Sequence, residues 1–103
     1  MKAIDVASRL SAELGWRVDT AKVRYFDIRG TMPNLKRTEN GFRDYDDKDY
    51  KRVKTLATLT SIGISLSDAY NYVEENTEYL DQVIKQKIVD TEKAIKVAKE
   101  LIK

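Results

Sequence analysis

Apolar residues recur along the start of the chain at the three-to-four-residue step of a helix. Ile4, Ala7, Leu10 and Leu14 form the stripe, Val6 lies beside it, and Gly15 ends the run. A short "GWRVD" turn leads to a second helical segment, "TAKVRYFDIR", with Asp19 placed to accept the free amides of its first turn. Val23, Phe26 and Ile28 are expected to point inward there, while Lys22, Arg24 and Tyr25 point out. Gly30 stops the segment, and Pro33, the only proline, forces an extended turn. Asn40-Gly41 then signals a hairpin, since both residues accept the positive φ that a tight type I′ turn requires.

Helical periodicity resumes after the hairpin. Asp46 reads as the N-cap of a third helix with Asp49 three residues on, and Val53, Leu56, Leu59 and Ile62 share one face up to Gly63. Ser65 and Asp68 form a variant capping box for a short fourth helix, "LSDAYNYVEE", and a final helix runs from about Glu78 to the end. Two helices joined by a short turn and followed by a hairpin make a winged helix-turn-helix. The predicted fold is therefore mainly α. It comprises a winged helix-turn-helix DNA-binding domain over residues 1–76, with two further helices, and a long C-terminal dimerisation helix over 77–103. On topology alone, a plain helical bundle with an incidental hairpin also fits.

Composition narrows the function classes. With 42% hydrophobic and 35% charged residues the chain reads as a globular protein, neither disordered nor membrane-spanning, and a cytoplasmic location is expected. Cysteine and histidine are both absent. Disulfides, thiolate or imidazole metal sites and Cys- or His-based catalysis are thereby excluded, so neither enzyme, cofactor nor metal is expected. Net charge is only +2, but it is unevenly spread. Residues 17–54 carry eleven Lys/Arg against seven Asp/Glu, whereas residues 55–103 carry six against eight. A basic half containing a short arginine- and aromatic-bearing hairpin is the electrostatic footprint of a nucleic-acid contact.

The residues themselves resemble a known family. Arg24-Tyr25-Phe26-Asp27, Gly30, Pro33, Asn40-Gly41-Phe42-Arg43-x-Tyr45, Asp49 with Arg52, and Gly63-x-Ser65-Leu66 occur in the order seen in the DNA-binding domain of the mercury-resistance regulator (MerR) family. The resemblance covers residues 18–73. "ELGWR" lengthens the turn before the second helix, and "GTMP" stands where the family carries a more apolar sequence.

The resemblance implies the site. Thr20 and Lys22 would lie nearest base edges at the start of the recognition helix, with Arg24 and Tyr25 on the DNA backbone. Arg37, Arg43 and Tyr45 of the wing would contact phosphates, and Arg52 would add a further backbone contact. Tyr25 reads equally as a core aromatic, Phe26 as core, and Phe42 as packing the wing onto the body. The aspartates Asp44, Asp46, Asp47 and Asp49 lack the glycine and terminal glutamate of a calcium loop and read as helix capping.

The last helix places Leu80, Ile84, Ile88, Thr91, Ile95, Ala98 and Ile102 on a heptad-like seam flanked by charges, with steps of four and three from Ile84 onward. Such a seam calls for a partner, and the resemblance implies a second copy in an antiparallel coiled coil. The expected function is a homodimeric, sequence-specific, MerR-type transcription regulator, with double-stranded DNA as partner and RNA polymerase met at the promoter. By resemblance it would bend and untwist a roughly palindromic promoter site, with no evident effector domain. An excisionase-like architectural DNA-binding protein and a protein-interaction module are the rivals.

Overall fold

The computed structural model describes residues 1–102. Its element order is α1 (Ala3–Leu14), α2 (Thr20–Ile28), β1 (Lys36–Arg37), β2 (Arg43–Asp44), α3 (Asp47–Ser61), α4 (Leu66–Glu74) and α5 (Glu78–Leu101). The winged helix-turn-helix expected from the sequence is thus present: α1, turn, α2, an antiparallel two-stranded wing, then two helices and a long fifth one. The residues gather into two compact units that part inside α3, between Ala57 and Thr58. The division drawn at 76/77 from the sequence followed roles, with the DNA reader on one side and the dimer helix on the other.

The first unit is built on α1 and α2, which pack together. Val6, Leu10, Val23, Phe26, Val53 and Leu56 are fully buried. Two isoleucines expected inside are not. Ile4 stays largely exposed, and Ile28, the last residue of α2, is 70% exposed because the helix ends there and the chain turns away. Thr31 and Met32, within the "GTMP" stretch that follows α2, are buried instead. Thr31 can sit inside because its hydroxyl donates to the Phe26 carbonyl at 2.6 Å.

The long α1–α2 turn is held by one side chain. Gly15 takes a φ of 82°, the left-handed conformation that closes α1, and its amide donates to the Ser11 carbonyl at 3.0 Å. The Ser11 hydroxyl then accepts the Val18 amide at 2.8 Å, pinning the turn back against α1. Asp19 caps α2 as expected, its carboxylate accepting the Lys22 amide at 3.0 Å.

The wing closes differently from a type I′ turn. Lys36 pairs with Asp44 and Arg37 with Arg43. Beyond them the Thr38 amide donates to the Phe42 carbonyl at 2.8 Å, and the Gly41 amide to the Thr38 carbonyl at 2.9 Å. Among the described residues only glycines have positive φ, so Asn40 is not left-handed while Gly41, at 82°, is. The result is a three-residue Glu39-Asn40-Gly41 loop of the kind that places one left-handed glycine after a type I turn. Phe42, expected to pack the wing onto the body, is instead 63% exposed. The wing base is fixed through the backbone: the Tyr45 amide donates to the Met1 carbonyl at 2.8 Å, and the Met1 ammonium donates to the Tyr45 carbonyl at 2.7 Å.

Asp46 and Asp49 cap α3 reciprocally, the carboxylate of each accepting the amide of the other at 2.8 and 3.0 Å. The amide bond holds the Asp46 carboxyl below the usual aspartate range, whereas burial pushes that of Asp49 up. Glu13 at the end of α1 reaches two residues of α3, accepting from the Tyr50 hydroxyl and, at 2.6 Å, from the Lys54 ammonium. Arg9 lies over the Tyr50 ring, 4.0 Å from its centroid.

The second unit gathers the end of α3, α4 and α5. Leu59, Ile64, Ala69 and Leu80 are its buried apolar residues. Ser65 and Thr77 cap α4 and α5 by accepting the Asp68 and Leu80 amides. Lys87 of α5 lies against Gly63 at the end of α3, so close that a Cβ there would meet its Cε at 2.7 Å. From Glu92 to Leu101 every residue of α5 is exposed.

Candidate nucleic-acid interface

A nine-residue helix with a two-faced sequence can show one side to a core and the other to a partner. In α2, Val23 and Phe26 are buried, while Lys22, Arg24 and Tyr25 are exposed and Thr20, in first position, is half-exposed. The Lys22 ammonium lies 5.5 Å from the Phe26 ring centroid, along its own helix face. The alternative of Tyr25 as a core aromatic is not met: the residue is 43% exposed.

The wing arginines are aimed by α2 itself. Asp27 accepts from Arg43 Nε at 2.7 Å and lies 3.5 Å from an Arg37 guanidinium nitrogen. Arg37 also donates to the Gly41 carbonyl at 2.9 Å, so its guanidinium follows the turn. One carboxylate thereby ties both arginines of the wing to the exposed helix. The sequence had shown Asp27 only as part of a motif; an acid on the outer face of a basic helix was the available signal.

Two expected contacts lie elsewhere. Tyr45, expected at the DNA backbone, is buried, with only 1% of its surface exposed. Its hydroxyl has no hydrogen-bond partner among the described residues, and burial pushes its pKa up. An aromatic ring carries enough apolar area to be drawn inside even with a polar tip. Arg52 is half-buried and donates from Nε to the Thr31 carbonyl at 2.7 Å, bracing the loop after α2 against α3.

Three of the four aspartates around the wing are occupied with the fold, and the exposed Asp47 opens α3. Asp46 and Asp49 cap α3, and Asp44 accepts from the Met1 ammonium at 3.1 Å. Among the described residues no three Asp or Glu are grouped so that they could hold a metal ion. Among the described residues no helix is long and apolar enough to cross a membrane.

Along α5 the expected seam divides. Leu80 is buried within its own unit, and Ile84 and Thr91 are half-buried, so this stretch is partly spent inside the chain. Ile88, Ile95 and Ala98 are exposed. Ile102 lies beyond the helix, at its C-cap with extended backbone, and not on the helical seam. Val89, Val97 and Leu101, outside the heptad pattern, are exposed as well.

A model of the MerR HTH family of regulatory proteins matches residues 8–76. The chain is 33% identical over 58 residues to the HTH-type transcriptional regulator AdhR of Bacillus subtilis, a match covering 56% of this chain and 41% of the relative. It is 30% identical over 87 residues to an HTH-type transcriptional regulator ZntR homolog of Haemophilus influenzae, covering 75% and 63%. The chain therefore spans less than two thirds of these relatives' own lengths. Among solved structures, HiNmlR, a MerR family regulator lacking the sensor domain and bound to promoter DNA, superposes with a TM-score of 0.70 at 22% identity, over 93% of this chain and 76% of that one. The helix–turn–helix–wing order, the motifs that carry it and the match over residues 8–76 lead to one conclusion: the chain belongs to the MerR family of helix-turn-helix regulatory proteins.

Proposed function

We propose that the chain is a sequence-specific DNA-binding transcription regulator that acts as a homodimer. The observation that carries this reading is the union of two basic elements, α2 with Lys22 and Arg24 exposed and a wing whose Arg37 and Arg43 are held to it by Asp27. Thr20 and Lys22 lie at the end of α2 suited to base edges, and Arg24 and Tyr25 on the exposed face suited to the flanking backbone. Arg37, bonded to the Gly41 carbonyl and held beside Asp27 yet half open to solvent, offers its remaining N–H groups to a phosphate. Arg43, with its Nε given to Asp27, has its terminal nitrogens left for phosphate. Arg52 contributes by bracing.

Dimerisation is assigned to α5. At 24 residues it is about 36 Å long, and its last ten positions expose Ile95 and Val97 with no cover of their own. A second copy laid along it would bury that surface and bring two α2 helices to two half-sites. RNA polymerase is the further partner such a promoter-bound dimer would meet.

Gel-shift titration against genomic fragments tests the reading. A discrete complex whose footprint covers two half-sites supports the regulator. Progressive laddering supports an architectural protein that coats DNA, and absence of binding leaves only an interaction module.

A further inference from the structure

A cleft of about 260 Å³ opens between the start of α1, the exposed face of α2 and the wing. Lys2, Arg24, Arg37 and Arg43 line it together with Ile4 and Phe42. Among the described residues Asp27 is the one carboxylate paired with these cations. Lys2 and Arg24 have no acidic partner among the described residues, so the cleft carries surplus positive charge. Like charges gathered this closely repel one another unless an anion joins them. Ile4 and Phe42 are more than half exposed beside these cations, an apolar rim around a charged floor. The cleft is smaller than the ~300–1,000 Å³ typical of small-molecule pockets, which suits a group of a few heavy atoms.

We propose that this cleft seats one backbone phosphate of duplex DNA, with Lys2 and Arg24 as its principal cations and the adjoining sugar against Ile4 and Phe42. The proposal rests on the DNA-binding reading and adds to it a contact from the residue before α1, outside both the recognition helix and the wing. A phosphodiester has two unesterified oxygens, which a guanidinium fork and a mobile ammonium can share. Phosphate contacts set register without reading sequence. Lys2 would therefore fix how α2 enters the groove.

The test is the salt dependence of binding to a random-sequence duplex, measured by fluorescence anisotropy for wild type, Lys2→Gln and Lys99→Gln. The Lys2 backbone carbonyl, which accepts the Asp5 and Val6 amides at 3.1 Å, is unchanged by the substitution, and a thermal melt confirms folding. Wild type should bind, and Lys2→Gln should flatten the slope of log K against log salt by about 0.9 per bound chain, the value for one phosphate contact. Lys99→Gln, the same charge change on α5, should leave the slope as in wild type. If wild type binds but Lys2→Gln keeps the full slope, or if Lys99→Gln flattens it equally, the phosphate seat is overturned while the DNA-binding reading stands. If wild type fails to bind duplex at low salt, that reading falls and takes the seat with it. Inorganic phosphate titrated alone should not compete at millimolar concentration; competition that Lys2→Gln abolishes would make the cleft a small-anion site instead.

Discussion

The Tyr45 hydroxyl is buried without a partner among the described residues, and leaving such a group dry costs about 1–3 kcal/mol. Tyr45→Phe should therefore stabilise the fold by up to about 1 kcal/mol, with DNA affinity and its salt slope unchanged, as a thermal melt and anisotropy titration would reveal. Weakened DNA binding with unaltered stability would return Tyr45 to the phosphate role its sequence position suggested. Sequence alone could not decide this. A tyrosine two residues after an arginine in a basic hairpin offers both an apolar ring and a polar tip, and only the burial of its neighbours settles which governs. Arg52 was hidden for the same reason: a guanidinium that suits a phosphate suits a buried carbonyl equally well.

At the level of elements the periodic signals were legible and the edges were not. The caps at Asp19, Asp46, Ser65 and Thr77 and the start of α5 at Glu78 follow from side-chain chemistry within a few residues. The first three caps and the helix start were readable in advance. Ile28 and Phe42 are apolar yet exposed, because one ends a helix and the other follows a left-handed glycine. The join between α1 and α3 was not legible at all, since Glu13 is separated from Tyr50 and Lys54 by some forty residues. The bonds from Lys54 and Tyr50 hold the Glu13 carboxyl below the usual glutamate range. A depressed folded value means that its contribution is present above the unfolded pKa and lost as pH falls through the folded one. Stability measured by urea titration should thus decline as pH drops below about 4.3. Glu13→Gln should be less stable near neutrality and show a shallower acid decline; an unchanged acid profile would contradict the assignment.

For the whole molecule, the fold class and the family were within reach of the sequence because many weak signals occurred in one order. Each of Gly30, Pro33, Asn40-Gly41 and Gly63-x-Ser65 is common alone, but their succession constrains a helix–turn–helix–wing path. The sequence presents the apolar seam of α5 as one stripe. In the folded chain its first part is partly used within the second unit, and its exposed remainder starts at Ile88. A second copy would thus gain most of its apolar contact from the far half of α5.

The proposed function requires α2 to read DNA sequence in two copies. Selection of binding sites from a pool of random duplexes, run in parallel with wild type and Lys22→Ala, tests this. Wild type should enrich one motif made of two inverted half-sites, and Lys22→Ala should enrich a motif altered at defined positions of each half. Enrichment of no motif by wild type, or of the same motif by both proteins, would rule out sequence reading by α2.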